Sequence, residues 1–265
     1  MTEQGSKKSI FRLPELTYRV WKVWRRNFDV FMKTYKVNFF PPLLEPIFYL
    51  LGFGLGLGAY VSQNIPGGSL IKFMAPGLVS MSIMYSAFFE CTYGSFVRMY
   101  YQRTFDAIVA TPVSLEEVIA GEILWGATRS LISSSIVVCV VAAFGLISSP
   151  LTFLVPIVAF CGGLMFSGIA MCFTSLAPNI DFFNYPAFLF ITPMLFLGGA
   201  FFPLPQAAQL PAMAILPLTN IVQLNRGLMY GNLTTTLLFS IAWMIPVTLV
   251  FFFLSINAMK KKLIR

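Results

Sequence analysis

Histidine is absent from the 265 residues. That removes the commonest general base, the commonest transition-metal ligand and the usual near-neutral pH switch, so a His-based triad or zinc site is excluded. Charge is scarce too: Asp, Glu, Lys and Arg make up 11% of the chain, against about a quarter of a soluble domain. The four cysteines, Cys91, Cys139, Cys161 and Cys172, lie singly within apolar stretches, without the close pairing that metal and redox motifs use. They read as small buried hydrophobes. No glycine is followed by lysine, so the chain has no G-x-x-x-x-G-K-[ST] loop with which to cradle ATP phosphates. The expectation is a chain with no catalytic residue, cofactor or metal site of its own.

What is abundant is apolar surface: 57% hydrophobic and 16% aromatic residues, with mean hydropathy +0.79. One soluble core of this size could not hide it, so lipid is the solvent for most of the chain. Six stretches are long and apolar enough to cross a bilayer, at about 39–61, 73–97, 119–147, 151–177, 186–202 and 235–257. The fold class expected is an all-α polytopic membrane protein with six transmembrane helices. Lys7, Lys8, Arg12, Arg19, Lys22, Arg25, Arg26, Lys33 and Lys36 precede the first span, and Lys260, Lys261, Lys262 and Arg265 follow the last. Positive-inside then places both termini in the cytoplasm, with Arg98 and Arg103 on the same side and only Lys72 and Arg226 outside. The net charge of +8 is a topology signal of this kind and no sign of nucleic-acid binding. The first 38 residues also lack the apolar core and cleavage site of a secretory signal. The chain divides into a cytoplasmic N-terminus (1–38), a membrane domain (39–257) and a basic cytoplasmic tail (258–265).

Three polar or broken segments stand out. Residues 12–28 place Leu13, Leu16, Val20, Trp24 and Phe28 near helical spacing, with Arg12, Glu15, Arg19, Lys22 and Arg26 on other faces. That is a basic amphipathic helix suited to an anionic leaflet, serving as a surface anchor or as a lever that also touches a partner. The loop at 101–118 reads as a short helix over Gln102–Ala110 that Pro112 ends. Ser114 and Glu117 then form an S-x-x-E capping box that starts the next span. Such a loop is either a mechanical linkage or a solvated connection. Residues 203–233 contain Pro203, Pro205, Pro211 and Pro217, which favours short re-entrant helices over one long one.

Ionisable residues at membrane depth are costly and therefore informative. Glu90 and Arg129 fall at similar depths on antiparallel neighbours, which predicts either a buried pair or a polar lining of a substrate path. Glu122 is close enough to the interface to be hydrated. Glu45, among Pro41, Pro42 and Pro46, belongs to a broken helix start and is a possible gating or path residue. The run Gly54-Leu55-Gly56-Leu57-Gly58-Ala59 matches a dinucleotide fingerprint only in letters, because it lacks a βαβ context. Gly52, Gly54, Gly56 and Gly58 read instead as sites of close helix packing or a soft bend.

Beyond these readings, the chain resembles the permease subunits of ABC-2 exporters. The resemblance is nearest to the branch that exports nodulation-type lipo-oligosaccharides. It is carried by Glu45-Pro46-Ile47-Phe48-Tyr49-Leu50-Leu51-Gly52-Phe53-Gly54-Leu55-Gly56, Ala75-Pro76-Gly77-Leu78, Arg103-Thr104-Phe105-Asp106-Ala107 with Thr111-Pro112, and Ala177-Pro178-Asn179-Ile180-Asp181-Phe182-Phe183. Thr192-Pro193-Met194-Leu195-Phe196-Leu197-Gly198-Gly199, Phe201-Phe202-Pro203 and Leu216-Pro217-Leu218-Thr219, followed by Arg226 and Gly231, extend it. The resemblance implies an exporter subunit in a bacterial-type inner membrane, paired with a second permease chain, usually identical. Two separate ATP-binding subunits, which carry ATP and Mg, would dock beneath the pair. The helix with Arg103, Phe105 and Asp106 would be the coupling helix, and Pro112, Glu116 and Glu117 would extend that contact. The cargo implied is an amphipathic lipid or glycan, with drug or lipid efflux as the nearest alternative. An intramembrane lipid-modifying enzyme using Glu90, Glu122 and Arg129, and a passive channel, are the readings from other classes.

Overall fold

Lipid offers the backbone no hydrogen bonds, so each segment satisfies its own amides, and helices follow. The computed structural model describes residues 16–56, 69–201, 215–232 and 235–263, and no strand occurs among them. In chain order the helices are α1 (Val20–Lys33), α2 (Tyr35–Gly56) and α3 (Leu70–Tyr101), then the short α4 (Thr104–Val109) and α5 (Leu115–Ala143). After them come α6 (Pro150–Leu176), α7 (Ile180–Leu197), α8 (Pro217–Tyr230) and α9 (Thr235–Leu263).

Among the described residues, five helices are long and apolar enough to cross a membrane: α3, α5, α6, α7 and the part of α9 from Leu237. They correspond to the last five of the six expected spans. The first, at 39–61, is represented by α2, and residues 57–61 lie outside the described residues. The expected break around Glu45 does not occur. α2 runs helically through Pro41, Pro42 and Pro46. Each proline deletes one ladder bond, and the neighbouring bonds carry the helix past it.

The centre is built from α3, α5 and α6, which pack on one another, with α9 laid along α6 and α1 along α5. Burial follows that order: 72% of the most apolar window of α3 is buried, against 17% in α9, so α9 presents most of its surface outward. The glycines that permit close approach include Gly77 on α3, where a Cβ would overlap the Ala200 backbone, and several on α5 and α6. A Cβ on Gly163 would lie 2.9 Å from the Ala127 backbone, and one on Gly126 would collide with Ser167 and Cys91. The expectation that placed this role on the α2 glycines holds at Gly54, where a Cβ would collide with the Ile71 side chain, and is corrected at Gly52 and Gly56. Gly52 and Gly56 have open space where a Cβ would be, and Gly58 is outside the described residues. The cysteines likewise differ from uniform burial: Cys91 is buried, Cys161 and Cys172 are intermediate and Cys139 is exposed, all as free thiols.

α7 is the least regular span. A 3-10 turn at Ile180–Phe183, three α residues, a π turn at Ala187–Ile191 and a last α turn at Thr192–Leu197 succeed one another. Pro186 and Pro193 fall at the joins. Of the re-entrant segment at 203–233, residues 203–214 and 233 lie outside the described residues; the remainder holds α8, started by Pro217 at its first turn and stopped at Gly231 in the left-handed region (φ 76°). Arg226 fastens α8 to its surroundings, donating to the Gly199 carbonyl at 3.1 Å and covering the Phe73 ring at 4.1 Å.

Candidate functional site: a buried charge cluster beside an exposed loop

The end of α3 departs from α geometry. Glu90–Gly94 and Val97–Tyr101 are π-wound, a winding that recurs at functional sites. It lets two residues eight positions apart meet: Arg98 Nη1 donates to Glu90 Oε1 at 2.8 Å. Gly94 lies between them, and a Cβ there would press on Glu90 Oε1 at 3.1 Å, so the absence of a side chain keeps the pair closed.

Arg98 also grips Glu122 of α5 with a two-nitrogen fork, Nη2 at 2.6 Å and Nε at 2.9 Å from the same carboxylate oxygen. Glu122 further accepts from Ser95 Oγ at 2.8 Å and from Asn27 Nδ2 of α1 at 2.8 Å. Its side chain is 0% exposed, which corrects the expectation of hydration. α1 lies across α5 at this level and seals the carboxylate from water. Glu90 is bound in turn by the Trp125 indole at 3.0 Å and by Arg129, whose Nε is 3.4 Å away. Thus the two residues matched by depth in the sequence are brought together, and Arg98, Asn27 and Ser95 join them. Arg129 also reaches Asn38 Oδ1 at 3.2 Å and covers the Phe31 ring. Glu45 is exposed on α2 and takes no part in this network.

A cavity of about 560 Å³ opens beside the cluster, walled by α1, the start of α2, the π-wound end of α3 and α5. Such charges at membrane depth are satisfied when each carboxylate meets several donors. Ser95 donates its hydroxyl to Glu122, a carboxylate already held by Arg98 and Asn27, and among the described residues no group of three or more acidic or cysteine side chains could hold a metal ion.

The loop lies at the same end of the bundle. Gln102 ends α3, and Arg103 turns the chain in the left-handed region (φ 49°). α4 follows, shorter than the helix expected over Gln102–Ala110. Six residues do not make a self-supporting helix, and α4 is held by Phe105, which is 1% exposed, and by packing on α5 and the end of α3. Phe105 is therefore an internal anchor and does not face outward as a contact residue would. Arg103, Asp106, Ala107, Thr111 and Pro112 are exposed.

The capping box is formed as its spacing predicts: Glu117 N–H donates to Ser114 Oγ at 3.2 Å and Ser114 N–H to Glu117 Oε2 at 2.8 Å. Glu117 is buried because it has a second task, accepting from the backbone N–H and hydroxyl of Thr17. Arg19 donates to the Pro112 carbonyl, and Lys260 of α9 pairs with Glu116. The segment before α1, the loop and the end of α9 thus converge. α1 itself starts later than the expected 12–28 helix, and residues 1–15 lie outside the described residues. It buries Val23 and Asn27 and exposes Trp21.

Comparison with known proteins gives a consistent result. The family described as ABC-2 type transporter matches residues 18–230. Nodulation protein J of Rhizobium meliloti (strain 1021) is 36% identical over 245 residues, 91% of this chain and 92% of that protein. Nodulation protein J of Rhizobium leguminosarum bv. trifolii is 34% identical over 97% of this chain and 98% of its own length. The inner membrane transport permease YadH of Escherichia coli (strain K12) is 25% identical over 80% of this chain and 81% of its own length.

Proposed function

Because the chain belongs to the ABC-2 type transporter family, and is thus a multi-pass inner-membrane component of a transporter, we propose that it is the permease subunit of an ATP-driven exporter. In this reading two copies pair, six crossings per copy leave both termini cytoplasmic, and two separate ATP-binding subunits dock beneath. The observation that supports it is the mounting of α4. A helix too short to stand alone is fixed by Phe105 from within, flanked by a capped span and tied to the pre-α1 segment, while Arg103, Asp106 and Pro112 are offered outward. A rigid knob of that design transmits a push from a partner into α5. The charge cluster behind it locks α1, α3 and α5 into one body that would move together.

The cargo proposed is an amphipathic saccharide carried on lipid, following the nodulation-type branch of the motif resemblance. Purification from native membranes in a gentle detergent tests the assembly. The reading expects a phosphate-loop ATPase at two copies per two permeases, lost or uncoupled from transport in Asp106→Lys although that variant still inserts. Reproducible isolation without any ATPase overturns it. Depletion tests the cargo: a glycolipid accumulating on the cytoplasmic side supports it, and unchanged glycolipids with altered drug sensitivity replace it with efflux.

A further inference from the structure

The buried cluster does not balance. Arg26, Arg98 and Arg129 contribute three positive charges and Glu90 and Glu122 two negative ones, which leaves a surplus of one. Arg98 is fully engaged, and Arg129 is shared between Glu90 and Asn38. The surplus falls on Arg26. It stands 4.0 Å from Glu122 and donates from Nη2 to the neutral Asn27 Oδ1 at 2.6 Å; its side chain is 31% exposed, and its Nε is buried without a hydrogen-bond partner. All three guanidiniums line the 560 Å³ cavity, whereas only Glu90 of the two carboxylates does. A concave site with surplus guanidinium donors in a setting of low dielectric suits a phosphate, which Arg recognises with paired donors.

The cavity's rim says which molecule would bring that phosphate. Val30 both lines the cavity and is 56% exposed. From it a belt of exposed apolar side chains, Met32, Tyr35, Val37, Phe39 and Phe40, interrupted by the exposed Lys33 and Lys36, continues into α2. Free phosphate gains nothing from such a belt, but acyl chains do. We infer that the cavity between α1, α3 and α5 is a binding site for a phosphate-bearing lipid, its headgroup against Arg26 and Arg129 and its chains along the belt of α1 and α2. The site is a property of this chain and does not rest on an ATP-binding partner or on the cargo.

Native mass spectrometry of the full chain in detergent, titrated with dioleoyl phosphatidic acid, dioleoylglycerol or inorganic phosphate, tests it. Phosphatidic acid is expected to bind, and dioleoylglycerol not to. Arg26→Gln should weaken binding by about ten-fold or more, the loss of a charge-assisted hydrogen bond. Arg25→Gln, on the exposed face of α1, should leave it within about two-fold on the same scale. Equal binding by Arg26→Gln and wild type, or equal binding of both lipids, overturns the site. Inorganic phosphate competing as strongly as the lipid overturns the lipid as its occupant. Should Arg26→Gln fail to fold, a phosphatidic acid bearing a photoreactive group beside its phosphate decides with the wild-type chain. Labels on the peptides spanning 26–34 or 94–104 are expected, and labels confined to α9 refute the assignment.

Discussion

Arg98 joins both carboxylates of the cluster, and replacing it by methionine probes the cluster directly. The change removes three hydrogen bonds to two carboxylates, those to Glu122 at 2.6 and 2.9 Å and that to Glu90 at 2.8 Å. The two carboxylates do not suffer equally. Glu90 keeps Trp125 and Arg129, whereas Glu122, with 0% exposure, is left with Asn27 and Ser95 and with Arg26 at 4.0 Å. The cost is therefore that of one orphaned buried charge rather than two, about 3–5 kcal/mol. At about 2–4 °C per kcal/mol for a chain of roughly this size, Tm should fall on the order of 10 °C. Thermal unfolding of the detergent-purified protein, followed by circular dichroism, reads this out. The double variant Arg98→Met with Glu122→Leu should recover most of the loss, because removing both charges removes the desolvation penalty along with the attraction. A single variant melting within a degree or two of wild type would refute the reasoning, as would a double variant less stable than the single one.

Phe105→Ala should behave as a core truncation, lowering stability by about 3–5 kcal/mol and loosening α4; limited proteolysis cutting between Arg103 and Thr111 checks it. Ser114→Ala removes one half of the capping box and should cost about 1 kcal/mol, visible as a small Tm shift with insertion unchanged. Gly163→Val drives a side chain into the Ala127 backbone and Ser130, so α5 and α6 must separate. Overpacking of this kind costs about 1–3 kcal/mol or more, and the variant should lose the monodisperse peak in size-exclusion chromatography.

Much of this was legible in the sequence for local reasons. The capping box needs only a serine and a glutamate three residues apart, and the two lie on the page in that order. Glu90 and Arg129 could be matched because depth along two antiparallel helices is a matter of counting. Arg98 could not be found the same way. In an ideal α-helix, eight residues at about 100° each leave positions 90 and 98 about 80° apart and more than two turns distant. Only the π winding of α3 brings them together, and no residue pattern announces it. The burial of Glu122 was equally hidden, because the group that covers it, Asn27, is 95 residues earlier in the chain. The short α4 was predicted from Pro112, but the inward direction of Phe105 depends on packing against α5 and α3.

The convergence of chain segments at the loop also governs how this protein is best handled. Lys260 pairs with Glu116, and Lys262 is stitched to the Thr174 and Ala177 carbonyls at 2.9 and 2.5 Å. The last turns of α9 are therefore parked against the start of α5 and the end of α6, at the end of the bundle that carries the loop. If the proposed ATP-binding subunit docks at the loop, a bulky fluorescent or affinity fusion grafted directly onto those turns would stand in its way, and a pull-down through that handle would return the chain alone. A long flexible spacer, or an epitope inserted at the turn around Gly145, leaves that end unobstructed.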